Sequence, residues 1–196
     1  MDWAIQGGVL SWVTSTPGGR ILIREGATLT NANRFHFPYV AHQPLRAATG
    51  YRLSFAGEVC LHAPSAQWTL RVRNPTVDID ARADIALVHT ELTRGRMELA
   101  RISLPPAAAA PRQTRVWRDA TTVLAEAAVA AFAGVCAPNS SLAPITLTVP
   151  CDEGAYDSQA GCGQSVGDGD VRGDVGSRLF RGVAKRGKGD TSDSEG

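Results

Sequence analysis

The sequence predicts an all-β fold, and three observations carry that expectation. Short apolar runs with period-two alternation recur as far as Pro106, turn-forming residues separate them at intervals typical of antiparallel sheets, and both patterns break down afterwards. The expected architecture is a jelly roll, sandwich or small barrel, followed by an added helix and a tail.

The strands are read in order as residues 8–14, 20–24, 35–40, 51–61, 68–73, 77–88 and 97–104. Pro17-Gly18-Gly19, Asn31-Ala32-Asn33, Thr49-Gly50, Ala63-Pro64-Ser65 and Asn74-Pro75 supply the turns between them. In 68–73, Trp68, Leu70 and Val72 fall on one face and are expected in the core. Thr69, Arg71 and Arg73 fall on the other, where the two arginines read as a solvated face or as a phosphate-binding pair. In 77–87 apolar residues alternate with Asp78, Asp80, Arg82 and Asp84. Aspartate is a poor strand former, so this face is either solvated or carries chemistry.

The β domain is expected to span 1–106. Residues 107–118 read as a Pro/Ala-rich linker, extended where proline fixes the backbone. Within 119–149, Asp119 is a plausible N-cap, and Val123, Leu124, Ala127, Ala131, Phe132 and Val135 form an apolar stripe that predicts a helix over 119–133. Ile145, Leu147 and Val149 then alternate as a last strand. Residues 150–196 hold few large apolar groups to offset the entropy of ordering and are expected to be a disordered tail rich in Gly, Asp, Arg and Ser.

Composition narrows the function classes. The 196 residues suit one core, and Lys+Arg 20 against Asp+Glu 19 gives a net charge of +1, without the basic field of a nucleic-acid binder. Cys60, Cys136, Cys151 and Cys162 are widely spaced, the four histidines are scattered, and no metal site is predicted. No secretory signal is visible, so reduced thiols in a cytosolic or nuclear setting are expected. The most apolar stretch, 121–135, contains Glu126 and is too short to span a bilayer. Arg172-Gly173-Asp174 reads as coincidence and Lys185-Arg186-Gly187-Lys188 as a short basic cluster. Ser192 and Ser194, beside Asp193 and Glu195, match an acidic-directed phosphorylation pattern.

Val77-Asp78-Ile79-Asp80-Ala81-Arg82-Ala83-Asp84-Ile85 resembles the third motif of the dUTPase family of trimeric jelly rolls, Ile-Asp-x-Asp-Tyr-Arg-Gly-Glu-Val. The resemblance implies that Asp78 is the water-activating carboxylate, that Arg73 and Arg82 bind substrate, that the assembly is a homotrimer, and that magnesium serves the reaction if one occurs. Ala81 stands where that family has its discriminating Tyr, Glu98 where it has a phosphate-binding Arg, and Arg52 where it has a metal-binding Asp. A closer resemblance is to a degenerate branch of the same fold, the proteins of the first open reading frame of adenovirus early region four. It rests on Arg24-Glu25-Gly26-Ala27-Thr28-Leu29, Phe35, Tyr39-Val40, Leu53-Ser54 and Val59-Cys60.

That resemblance implies a viral early accessory protein of the host cytoplasm and nucleus. It would lack catalysis and cofactor, and act by binding host signalling proteins. The carboxyl-terminal Gly196 departs from the apolar end that a PDZ groove requires. The alternatives are a dUTP diphosphatase that uses Asp78 and a carbohydrate-binding jelly roll in which Trp68 or Tyr51 stacks on sugar.

Overall fold

A computed structural model of the chain describes residues 1–45, 50–80, 84–110, 114–133 and 135–150. The expected disordered tail lies outside them, apart from Pro150. In chain order the elements are β1 (Asp2–Trp3), α1 (Gly7–Ser15), β2 (Arg20–Arg24), β3 (Thr28–Leu29), β4 (Phe35–His36), β5 (Tyr39–Pro44), β6 (Gly50–Phe55) and β7 (Glu58–Ala63). They continue as β8 (Trp68–Arg73), β9 (Thr76–Asp80), β10 (Ile85–Glu91), β11 (Arg96–Ser103), β12 (Ala108–Ala110), β13 (Thr114–Leu124) and β14 (Ser141–Pro150).

The all-β expectation holds, in the form of two sheets of unequal size. The larger runs β3-β4-β1-β14-β13-β11-β10-β9-β6-β5 with β12 beside β13, and the smaller runs β2-β7-β8. Alternation explains how they share one core. Leu53 and Phe55 of β6, Val77 and Ile79 of β9, and Val88 of β10 are buried from the larger sheet, and Leu61, Leu70 and Val72 from the smaller. On β8 the arrangement is as the sequence predicts, with Trp68, Leu70 and Val72 buried and Thr69 and Arg71 exposed.

Two of the passages of the chain between the sheets, β6 to β7 and β8 to β9, are tied to each other. Residues 51–61, expected as one strand, divide at Ala56-Gly57 into β6 of the larger sheet and β7 of the smaller. Gly57 has φ +117°, and a Cβ there would lie 2.6–2.9 Å from Ala27 atoms, so only glycine fits. Asn74 makes the return passage from β8 to β9 with φ +40°. Its backbone N–H donates to the Gly57 carbonyl at 2.8 Å, and its side-chain oxygen accepts from the Gly57 N–H at 3.2 Å.

Three expected elements take other forms. Residues 8–14 belong to α1 and not to a strand: the Gln6 side chain caps the Val9 N–H at 2.6 Å, and Val9 and Val13, four apart, are buried on one face. Extended Thr16 ends the helix just before Pro17. Residues 77–88 are not one strand but parts of β9 and β10, paired antiparallel with Val77 opposite Val88 and Asp78 opposite Leu87. Two half-buried strands therefore produce the alternation, and the ungapped match to the third motif does not correspond to one straight strand.

The third departure is the predicted helix over 119–133. β13 continues through Leu124, with Ala120, Thr122 and Leu124 buried and Asp119 and Thr121 exposed. The β-branched run Thr121-Thr122-Val123 fits a pleated strand better than a helix. Two single turns of 3-10 helix follow, Glu126–Ala128 and Ala130–Phe132, which bury Ala128 and Phe132. The stretch 107–118, expected as a linker, contains β12 and the start of β13. Since β13 and β14 lie between β1 and β11, the described β structure runs on to Pro150 and does not end at Pro106.

Candidate functional site

Asp78 lies on β9, where its side chain is 15% exposed. It accepts two hydrogen bonds from Arg52 of β6, Nε to Oδ1 at 2.5 Å and Nη2 to Oδ2 at 2.6 Å. This bidentate bond raises the Arg52 pKa above its ordinary value. Arg96 Nη1 and His89 Nδ1 each lie 4.0 Å from the same carboxylate, and Arg96 also donates to Thr76 Oγ1 at 2.9 Å. Among the described residues His89 Nδ1 is a buried polar atom without a hydrogen-bond partner. Burial lowers the His89 pKa below 6.5, although Asp78 pulls it upward.

Asp78 and Arg73, two of the residues expected to share a nucleotide, lie in different sheets. Arg73 lies on β8 in the smaller sheet, where Nε and Nη2 donate to Glu25 at 3.0 and 3.2 Å and Glu58 lies 3.7 Å away. Asp78 lies in the larger sheet, and Arg82 and Ala81 fall outside the described residues. Glu98 accepts a hydrogen bond from Arg101 at 2.9 Å, so this pair is an ion pair on β11. Asp78 and Arg73 are each held by protein partners.

A different constellation forms on β5, an edge strand of the larger sheet. Tyr39 pairs with Phe55, Ala41 with Ser54 and His42 with Leu53, so β5 advances two residues against one at Val40. This bulge decides the chemistry. In a regular strand residues three apart point to opposite faces, but one extra residue brings Tyr39 and His42 to the same face. That face is the one on which Leu53 and Phe55 are buried. Tyr39 Oη lies 2.9 Å from His42 Nδ1, and the Tyr39 ring meets the Phe55 ring edge-on at 6.1 Å.

The same face carries a further aromatic and cationic group. Tyr51 lies opposite Pro44, two residues along β6 from Leu53, and so is a diagonal neighbour of His42 at about 7–8 Å between strands. Arg115 of β13 lies near enough to its phenol to act on it electrostatically. The Arg115 guanidinium in turn lies over the Trp117 ring, 5.8 Å from its centroid. Burial raises the Tyr51 pKa, with Arg115 opposing it.

Residue pattern alone points to other residues. Tyr39 entered only as half of a Tyr-Val pair and Tyr51 as a sugar-stacking candidate. A Tyr-x-x-His spacing is invisible as a pair unless the bulge is known. No helix among the described residues is long and apolar enough to cross a membrane, a statement that says nothing of strands. Among the described residues no three or more His, Cys, Asp or Glu side chains cluster as a metal site.

Around α1 the structure is closed by aromatic packing. Trp12 meets Trp68 edge-on at 5.1 Å, and Trp68 Nε1 donates to the Ala131 carbonyl at 2.8 Å. α1 itself contains no His, Tyr, Cys or Met.

Comparison with known proteins decides the family. The family model HtaA matches residues 1–148, most of the chain and all but two of the residues in the continuous β structure. The chain belongs to the HtaA family. The HtaA fold is seen in the crystal structure of the C-terminal domain of HtaA from Corynebacterium glutamicum, with a TM-score of 0.62 at 13% identity, covering 75% of this chain and 92% of that one. The N-terminal domain of the same protein gives a TM-score of 0.57 at 18% identity, covering 75% and 92%. A domain-swapped dimer of the H434A variant of the C-terminal domain gives 0.57 at 14% identity, covering 74% and 93%. No curated protein matches the sequence.

HtaA membership corrects the expected identity and function. The resemblance to dUTPases and to adenovirus early region four proteins does not stand, because the family match and the solved relatives are of HtaA domains. With it go the viral accessory role, dUTP hydrolysis and the carbohydrate-binding alternative. The host cytoplasm and nucleus are likewise withdrawn as locations, since the solved relatives come from a bacterium. The motifs behind the resemblance were short, and the strongest joined residues from two paired strands.

Proposed function

We propose that this domain binds a metalloporphyrin of the haem class in a bacterial haem-handling system, and that it is a binding domain rather than an enzyme. Membership of a family related to bacterial haem binding and uptake supports the reading. The observation that carries it onto this chain is the Tyr39–His42 pair, a phenol 2.9 Å from an imidazole on the face where Phe55 and Leu53 are buried. A phenolate is an established axial ligand for haem iron, and a hydrogen-bonded imidazole can take up the phenol proton and orient the oxygen.

The donor set suits such a group better than a bare ion. A porphyrin supplies four nitrogens to its iron, so a site needs one or two axial donors and an apolar surround, not a cluster of three or more protein ligands. Tyr39 would hold the iron, His42 would hold the phenol proton, and Phe55 would contribute an aromatic wall. The role also favours a place at the bacterial surface or outside the cell.

Titration of the full chain with haemin, followed in the Soret and charge-transfer regions, tests the proposal. The expected result is saturable binding with a tyrosinate-type spectrum, weakened roughly 100-fold in Tyr39→Phe and about tenfold in His42→Ala. Absence of binding, or an unchanged spectrum and affinity in Tyr39→Phe, would overturn it.

A further inference from the structure

We propose that the outer face of the smaller sheet, β2-β7-β8, is a docking surface for a membrane that carries anionic phospholipids. Cross-strand pairing builds that face. Arg24 lies opposite Glu58 and Glu58 opposite Arg73, and Arg71 and Arg20 follow two and four residues away on the same side of their strands. The alternate residues Val59, Leu61, Leu70 and Val72 are buried in the core, so the pleat turns the arginines away from it.

Glu58 divides these arginines by role. Its side chain is 6% exposed, and its oxygens lie 3.5 Å from Arg71 Nε and 3.7 Å from Arg73 Nε. Arg73 is further held by Glu25 at 3.0 and 3.2 Å. A single phosphate seated between Arg71 and Arg73 would therefore be repelled by two carboxylates, which disfavours the phosphate-binding pair that residue type alone suggests. Arg20 and Arg24 are exposed and make no ion pair or hydrogen bond among the described residues. Arg71 stays 55% exposed. The four arginines against Glu25 and Glu58 leave a surplus of positive charge on this face.

The spacing suits a broad anionic partner. Arg20 and Arg24 are about 13 Å apart along β2, and β2 and β8 are about 10 Å apart across β7. A layer of phosphodiester head groups presents charge at many points and rearranges laterally to meet guanidinium forks, which match phosphate oxygens. A protein partner is anchored instead by large desolvated side chains. The face offers no Trp, Tyr or Phe, and Leu22, its large aliphatic residue, is half-buried. Tyr39 and His42 belong to the other sheet, so the inference stands apart from the haem reading.

Co-sedimentation of the full chain with vesicles of phosphatidylcholine, alone or with about one third phosphatidylglycerol, tests the proposal. The expected result is binding to the anionic vesicles only, lost in roughly 0.5 M sodium chloride. Arg20→Gln with Arg24→Gln should weaken partition roughly 25-fold and each single variant about fivefold. The single variants keep the test decisive if the double variant fails a thermal-melting check of its fold. Arg101→Gln with Arg118→Gln removes the same charge from exposed positions of the larger sheet and should leave partition within about twofold. Absence of binding to anionic vesicles, wild-type partition in the Arg20 and Arg24 variants, or an equal loss in the Arg101 and Arg118 variant overturns the assignment. Polyglutamate of matched charge that binds as tightly as the vesicles overturns it in favour of an acidic protein.

Discussion

Gly57 and Asn74 hold each other at two of the points where the chain passes between the sheets. The Asn74 N–H donates to the Gly57 carbonyl at 2.8 Å, and Asn74 Oδ1 accepts from the Gly57 N–H at 3.2 Å. Asn74 Nδ2 also donates to Glu91 at 2.6 Å, which ties the crossing to β10. The relative placement of the sheets therefore depends on two residues in uncommon backbone conformations, and this leads to a first prediction.

Gly57→Ala is expected to destabilise the domain by about 3 kcal/mol or more. A side chain there combines φ +117° with an approach of 2.6 Å to the Ala27 nitrogen, and the backbone cost alone is about 1–3 kcal/mol. Urea denaturation should show a lower midpoint at an unchanged slope, since the same surface is exposed on unfolding.

Asp78→Asn should cost about 2 kcal/mol. It removes the acceptor charge from a bidentate pair whose two side chains are 25% and 15% exposed and leaves the Arg52 guanidinium without its counter-ion. The paired replacement Arg52→Met with Asp78→Leu is expected to recover part of the loss, which a double-mutant cycle by chemical denaturation would measure. Haem affinity should be unchanged in both variants.

Acid stability should depend on His89. Burial holds its folded-state pKa below the ordinary 6.5, while Asp78 and Glu98 raise it and Arg96 and Arg52 lower it. For a histidine with a depressed folded-state value, the stability contributed is present above pH about 6.5 and is lost as the pH falls through that value toward the folded pKa. His89→Gln is expected to flatten this part of the stability profile, read as unfolding free energy against pH; a slope that persists in the variant would count against the assignment.

Trp68→Phe should lower stability by about 1–2 kcal/mol through loss of the Nε1 bond to the Ala131 carbonyl. The near-ultraviolet circular dichroism signal of the Trp12–Trp68 pair, whose centroids lie 5.1 Å apart, should weaken with it.

Much of the β structure was legible in residue pattern. Arg20–Arg24 and Trp68–Arg73 were read to the residue, and the alternating Ile145, Leu147 and Val149 fall within β14, because alternation there reports one buried face. α1 was missed because Val9 and Val13 are set among glycines and β-branched residues, and its cap is a glutamine, an uncommon capping residue. Residues 119–133 misled in the opposite sense, since alanine at many positions satisfies a helical stripe without specifying one. The candidate site was hidden for a different reason: Tyr39 and His42 meet only through an extra residue at Val40.

β1 pairs with β14, Asp2 opposite Thr146, and β13 and β14 fill the gap between β1 and β11 in the larger sheet. A chain emerging from the ribosome can pair its first strand with β4 early, Asp2 opposite His36, but the other edge of β1 waits until almost the last of the sheet has been made. Closure of the sheet is therefore a late event in folding, with high contact order. Until then, the unpaired edges of β1 and β11 are the surfaces a chaperone must cover.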